Sequence, residues 1–220
     1  MLSNLIVPVL NRYDLLLNML RSIDEPVGRL LIIDNGGSFE RLFDKPELPT
    51  VEQMFTVTLP SNLGVAGSWN LGVKLLPHDS VWHFTSNDVV FRPGALATLS
   101  EARNDRLSLS EAFPHYQTFA VGEAVVEAVG LFDERLYPAY FEDNDYQRRV
   151  EAAGFQVVRL PIVTAHANSS TLHSNPNYVE HNKRTFEANR TFYEGKVATG
   201  DYSWGWDLAR RRSGEWNPVD

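Results

Sequence analysis

Three acids fall within four positions in Glu142-Asp143-Asn144-Asp145. Carboxylates in such a cluster can accept a proton from a hydroxyl group, and acids also collect at helix N-termini because they complement the helix dipole. Three of them exceed what a cap requires, which favours chemistry. A second polar group, Ser86-Asn87-Asp88, closes an apolar run and precedes Pro93. It could hold a ligand at a strand end, or form an Asx turn or helix cap. His166 opens a polar stretch just after an apolar run that ends at Thr164. A single histidine is either a ligand or a structural imidazole satisfied by its neighbours.

Several other chemistries are missing. The 220 residues contain no cysteine, which removes thiol nucleophiles, zinc-thiolate sites and a disulfide framework. There is no G-x-x-x-x-G-K-[ST], no G-x-S-x-G, and Gly64, Gly67 and Gly72 do not have G-x-G-x-x-G spacing. The net charge of −8 argues against broad affinity for nucleic acid or anionic lipid. The only basic run, Arg210 to Arg212, suits a solvated helix end or an acceptor contact. The N-terminal MLSNLIVPVLNRYD lacks the pattern of a signal peptide, and no stretch reaches about 18 apolar residues, so a cytoplasmic protein without a membrane span is expected.

The elements that must position these residues can be read in order. Leu5 to Leu10 reads as a strand, and Tyr13, Leu16, Leu17, Leu20 and Ile23 recur at helical spacing, with Asn11 as N-cap and Asp14 as its capping-box partner. Leu30 to Ile33 is a second strand, stopped by Asp34-Asn35-Gly36-Gly37, and Met54 to Leu59 a third. A helix over Val65 to Leu76, a strand over Val81 to Thr85 and a short helix from Pro93 through Leu99 complete a β-α repetition. In open parallel sheets the C-terminal strand ends are where ligands bind. The second half predicts a strand near Thr118 to Val121, a helix near Glu123 to Val129 and a helix over Glu142 to Ala153. Apolar runs at Val157 to Leu160 and Ile162 to Thr164 follow, then a last helix over Tyr178 to Glu194. With 43% apolar residues and no internal repeat or low-complexity linker, one domain is expected.

Four ordered segments, VPVLNRYDLLLNMLRSI, LLIIDNGG with NLGVAGSWNLG, FTSNDVVFRPGAL and FDERLYPAYFEDNDYQRRVEAAGF, resemble family 2 glycosyltransferases, especially short rhamnosyltransferase-like members. The resemblance implies a single GT-A domain of the α/β class, a Rossmann-like, mostly parallel sheet flanked by helices. That domain would span residues 1–200, with a nucleotide-sugar-binding half over 1–100 and an acceptor and catalytic half over 101–200; a C-terminal tail would follow over 201–220. It points to Pro8, Val9, Asn11 and Asp34 for nucleobase and ribose, and to Asn62, Gly64, Gly67 and Asn70 around the donor. Asp34 and Asn35 could equally do no more than build the turn before Gly36. Ser86-Asn87-Asp88 aligns with the family's D-x-D, in which a carboxylate and a hard divalent cation meet the diphosphate. Here Asp88 keeps the last acid and Ser86 replaces the first, so metal-independence becomes an option. Glu142-Asp143 resembles the family's paired acids, which makes Asp143 the base and Glu142 an orienter or acceptor contact. His166 occupies the place of a histidine that meets metal or diphosphate, with His173 a weaker neighbour, and Asn189, Arg190, Tyr193 and Lys196 resemble the end of these enzymes.

The expected function is inverting transfer of a sugar from a UDP-, dTDP- or GDP-sugar to a glycan or protein acceptor, with Mn²⁺ or Mg²⁺ as cofactor. A catalytically silent GT-A module that binds a glycan or protein partner is the alternative. A sugar nucleotidyltransferase is disfavoured because Pro8-Val9-Leu10-Asn11-Arg12 stands where such enzymes carry a glycine-rich loop. Trp69 reads as packing. Trp204, Trp206 and Trp216 could stack on an acceptor or bury against the core or a second subunit of a homo-oligomer.

Overall fold

A computed structural model describes residues 1–42, 46–166 and 176–206. Its main sheet starts from β1 (Leu2–Val9), which pairs in parallel with β2 (Val27–Asp34), and β2 with β3 (Val51–Thr58). On the other side β1 pairs in parallel with β4 (Val81–Thr85). A short strand, β5 (Val89–Phe91), lies outside this sheet, which continues through β6 (Arg106–Ser110), β7 (Thr118–Gly122) and β8 (Gln156–Leu160). The order is β3-β2-β1-β4-β7-β6-β8, and only β7 runs against the rest, pairing antiparallel with both β4 and β6. This is the mixed α/β, mostly parallel sheet expected from the sequence.

The continuous apolar runs exist because the sheet is covered on both faces. Leu5, Val7, Val9, Leu30 and Ile32 point into one core, with Leu16 and Leu20 of α1 (Tyr13–Arg21) and with Leu96 and Leu99 of α4 (Ala95–Leu99). Ile6, Leu31 and Ile33 point the other way, against Trp69 and Val73 of α3 (Gly64–Leu75) and Tyr146 and Val150 of α6 (Glu142–Ala152). Gly72 lets α3 lie close on β1, since a β-carbon there would come within 2.7 Å of Ile6. Short α2 (Phe39–Leu42) and α5 (Glu123–Val129) and the long α7 (Pro176–Thr199) are the other α-helices of the described residues.

Several local expectations change. Asn11 is not the cap of α1: the flanking residue is Arg12, and the Asp14 carboxylate accepts from the Arg12 guanidinium at 2.8 and 2.6 Å rather than forming a capping box. Strand β6 is not expected from the sequence, because its alternating Arg106-Leu107-Ser108-Leu109-Ser110 lacks the unbroken apolar character of its neighbours. Strand β5 is likewise unexpected; it pairs antiparallel with β9 (Thr164–His166) in a separate two-stranded ribbon. No helix among the described residues is long and apolar enough to cross a membrane.

Candidate active site

A cavity of about 770 Å³ opens at the C-terminal edge of the parallel strands. Its floor is the end of β1, Pro8 and Val9, with Leu10 beyond. One wall carries Ser86, Asn87 and Asp88 after β4, and another carries Glu142 and Asp143 at the start of α6. Asn62 and Gly64 enter from the N-terminal end of α3, and His166 from β9.

The β5–β9 ribbon places His166 opposite Val89, the residue after Asp88. His166 Nε2 lies 3.0 Å from Asp88 Oδ1, so an imidazole and a carboxylate from distant parts of the chain share one spot. Among the described residues His166 Nδ1 is buried and meets no hydrogen-bond partner. Asn87 donates from Nδ2 to the Arg12 carbonyl at 3.2 Å, which fixes the loop that presents Asp88. Among the described residues no group of three or more His, Cys, Asp or Glu side chains could hold a metal. The Asp88–His166 pair offers one oxygen and one nitrogen donor, a set that suits a divalent cation whose remaining ligands come from phosphate oxygens and water.

The two acids opposite differ in environment. Glu142 is 5% exposed, and among the described residues its Oε2 has no hydrogen-bond partner. Burial pushes its carboxyl well above the usual range, and the neighbouring Asp143 adds to the shift. Burial raises Asp143 as well, but the Asn144 and Asp143 backbone N–H groups oppose this, the former donating to Asp143 Oδ1 at 2.8 Å. Both acids hold their protons more tightly than usual, Glu142 the more strongly, so Asp143, whose shift backbone N–H groups oppose, is the more readily ionised of the two and the better placed to act as a base. Asp145, the third acid, is fully buried and belongs elsewhere: Arg149 Nε donates to it at 2.8 Å and Lys196 Nζ at 2.7 Å.

Four residues assigned to the donor do not line the cavity: Asn11, Asp34, Gly67 and Asn70. Asp34 is fully buried and builds the turn after β2. Its Oδ1 accepts from Tyr13 Oη (2.8 Å) and from the Gly36 and Gly37 N–H groups, and its Oδ2 from the Phe39 N–H (2.8 Å). Asn70 supports the site from behind, bracketing Phe132 by donating to its carbonyl and accepting from its N–H, both at 2.9 Å. Asn62 Oδ1 caps the Gly64 N–H at 2.8 Å, and Gly64 has φ +75 with Pro138 O only 2.7 Å from where a β-carbon would sit. Glycine is therefore required where α3 meets the loop that leads to α6.

The sequence did not single out Asn35, the Phe113-to-Gln117 segment, Tyr140, Phe141, Asn182 or Phe186, all of which face the cavity. Asn35 ties β2 to α3, donating to Ser68 Oγ and accepting from the Leu63 N–H, each at 2.8 Å. The aromatic pair directly before the acids was the available signal for Tyr140 and Phe141. Trp69 is 6% exposed among Phe84, Tyr116, Phe119 and Phe132, with its edge at the cavity, consistent with packing. Trp204 lies over Gly130, where a β-carbon would fall 2.2 Å from its Nε1. Residues 167–170, His173, Arg210 to Arg212 and Trp216 lie outside the described residues.

No family model matches the chain. A galactofuranosyl glycosyltransferase from Leishmania donovani is 51% identical over 39 residues, a segment that is 18% of this chain and 9% of that protein. GalNAc-T7, solved with UDP, GalNAc and Mn²⁺, aligns over 76% of this chain and 44% of its own, with a TM-score of 0.56 and 11% identity. The catalytic domain of Drosophila β1,4-galactosyltransferase 7, solved with xylobiose, aligns over 77% of this chain and 71% of its own (TM-score 0.52, 14% identity). The inositol-1-phosphate CTP transferase of T. maritima aligns over 81% of this chain and 94% of its own (TM-score 0.51, 13% identity). The fold is thus shared with GT-A glycosyltransferase domains.

Proposed function

We propose that this chain is an inverting glycosyltransferase that moves a sugar from a nucleoside diphosphate donor to a glycan or protein hydroxyl. The observation that carries the reading is one cavity at the C-terminal strand edge with the Asp88–His166 pair on one wall and the Glu142–Asp143 pair on another. Known GT-A domains bind UDP and Mn²⁺ in the same fold, as in GalNAc-T7, which supports a nucleotide donor and a metal here.

In this reading the end of β1 and the Asn62–Gly64 turn hold the nucleoside, with backbone groups rather than Asp34 as recognition elements. Asp88 and His166 would hold a divalent cation, which supplies positive charge to the departing diphosphate. Ser86 offers a hydroxyl to ribose or to a bound water. Asp143 takes the proton from the acceptor hydroxyl as that oxygen bonds to the anomeric carbon. The bond from that carbon to the phosphate oxygen breaks on the opposite side, which inverts the configuration. Glu142, whose burial favours the neutral carboxyl, can donate a hydrogen bond to the acceptor when it carries its proton.

Incubation with UDP-, dTDP- and GDP-sugars, with and without Mn²⁺, tests the proposal by thermal shift and by donor hydrolysis. Stabilisation by at least one nucleotide is expected, and none by any of them refutes it. Ser86, in place of an acid, favours a second reading as a silent module; an Asp143→Asn variant that leaves measured transfer intact removes Asp143 as the base. Pyrophosphate release from a nucleoside triphosphate and a sugar phosphate would indicate nucleotidyl transfer instead, the chemistry named for the T. maritima neighbour.

A further inference from the structure

The two residues immediately before the acid pair, Tyr140 and Phe141, both have left-handed backbone, with φ of 78 and 71. Among non-glycine residues this conformation is disfavoured, and for bulky aromatics it is an outlier that persists only where the surroundings impose it. Phe141 is the residue that caps α6, and its carbonyl accepts from the Asp145 N–H at 2.9 Å. The direction in which α6 starts, and with it the aim of the Asp143 carboxylate, is set by this turn.

The surroundings that impose it come from α7. Asn182, Phe186, Asn189, Tyr193 and Lys196 follow a spacing of four and three residues, so they share one stripe of the helix. Asn189 is fully buried, and its Nδ2 donates to the Ala139 carbonyl at 2.7 Å and to the Tyr140 carbonyl at 3.3 Å. Phe186 contacts the rings of both Tyr140 and Phe141, at 5.2 and 5.0 Å between centroids, and Tyr193 stacks on Phe141 at 5.6 Å. One turn further on, Lys196 Nζ reaches Asp145, two residues past Asp143. The candidate base therefore sits between two points that one helix holds.

We propose that Asn189 is a positioning residue: its amide fixes the left-handed Tyr140–Phe141 turn and thereby aims Asp143 into the cavity. The inference rests on the transferase reading for its consequence in catalysis, while the clamp itself is a structural statement that can be tested without activity.

The test is a crystal structure and a kinetic analysis of Asn189→Leu, which keeps bulk and removes the donor; Asn189→Ala, which also lacks a side-chain donor, serves if leucine prevents folding. The expected structure has Tyr140 and Phe141 at negative φ and the Asp143 carboxylate displaced, with the β1 end and the Asp88–His166 pair unchanged. The expected kinetics are a kcat at least tenfold lower with the donor KM within twofold. A Tyr140→Gly, Phe141→Gly pair added to Asn189→Leu is expected to recover part of the lost kcat, because glycine adopts positive φ without strain. A purely structural role predicts lower thermal stability with kcat per folded molecule unchanged. Retention of both positive φ values overturns the clamp. A relaxed turn with undiminished kcat overturns its link to catalysis. A wild-type chain inactive on every donor instead refutes the transferase reading, and the crystal structure still decides the clamp.

Discussion

Lys196→Met should cost this protein about 3 kcal/mol of stability, near the low end of the range measured when a buried ion pair loses one partner. Lys196 is 3% exposed, and its ammonium donates to Asp133 Oδ2 (2.6 Å), Asp145 Oδ1 (2.7 Å) and the Ser203 carbonyl (2.6 Å), both carboxylates being fully buried. Methionine fills most of the stem volume, so the loss is polar rather than a cavity. Two bonds to ionised carboxylates at roughly 1.5–3 kcal/mol each set a gross loss of about 3–6 kcal/mol. Both acids keep a partner, since Arg135 donates to Asp133 at 2.8 and 2.7 Å and Arg149 to Asp145 at 2.8 Å, which places the net near the lower bound. For a domain of this size, that corresponds to a fall in Tm of roughly 6–12 °C. Urea unfolding followed by circular dichroism at pH 7 measures it, and a loss below about 1 kcal/mol refutes the reasoning, being no more than an exposed pair contributes. The pH dependence gives a second check. Burial pushes Asp133 up, but hydrogen bonds from Arg135 and Lys196 overcome this and hold it below its ordinary value. A depressed carboxyl contributes stability above its unfolded pKa and loses it as pH falls through the folded one. The difference between wild type and variant should therefore narrow on acidification.

Asp143→Asn should lower kcat by about 10²–10⁴-fold, the usual contribution of a general base, while nucleotide binding by calorimetry stays within twofold. Because burial raises Asp143 and the base works only when ionised, wild-type kcat should fall on acidification from a pH above the ordinary carboxylate range; a fall confined to that range or below it would contradict the assignment. Asp88→Asn should abolish any Mn²⁺-dependent part of the thermal shift given by UDP, and a metal response that survives the change places the cation elsewhere. Gly64→Ala should destabilise the fold by about 1–3 kcal/mol for its left-handed backbone alone, with more from the Pro138 carbonyl, as read from denaturant midpoints.

The legible parts of the fold were those in which burial is two-sided and local. β1, β2 and β4 announce themselves as apolar runs because both faces are covered, and α5 spans Glu123–Val129, where a helix is expected. Asp143 and Glu142 were legible as a cluster, and Asp88 as the polar end of a strand. What stayed hidden depends on contacts between distant residues. Nothing local distinguishes Asp34 as a turn builder from Asp34 as a ligand; only the Tyr13 hydroxyl and three backbone N–H groups around its carboxylate do. Asn189 is legible only as part of a C-terminal resemblance; that its amide meets the Ala139 and Tyr140 carbonyls is not. The pairing of His166 with Asp88 rests on β5, whose three residues carry too little pattern to be recognised as a strand.

That ribbon has an energetic consequence for whatever occupies the site. Three-residue strands hold few ladder bonds of their own, and packing keeps this ribbon in place, with Val89 and Phe91 buried in the core, so any opening of it would be an equilibrium coupled to that core. A ligand that needs both Asp88 and His166 binds only the closed form. Its apparent dissociation constant equals the intrinsic one divided by the closed fraction. Substitutions at Val89, Val90 or Phe91 that loosen the ribbon should therefore weaken ligand affinity without touching a ligand atom, and hydrogen exchange at the β5–β9 amides should slow when the ligand is present.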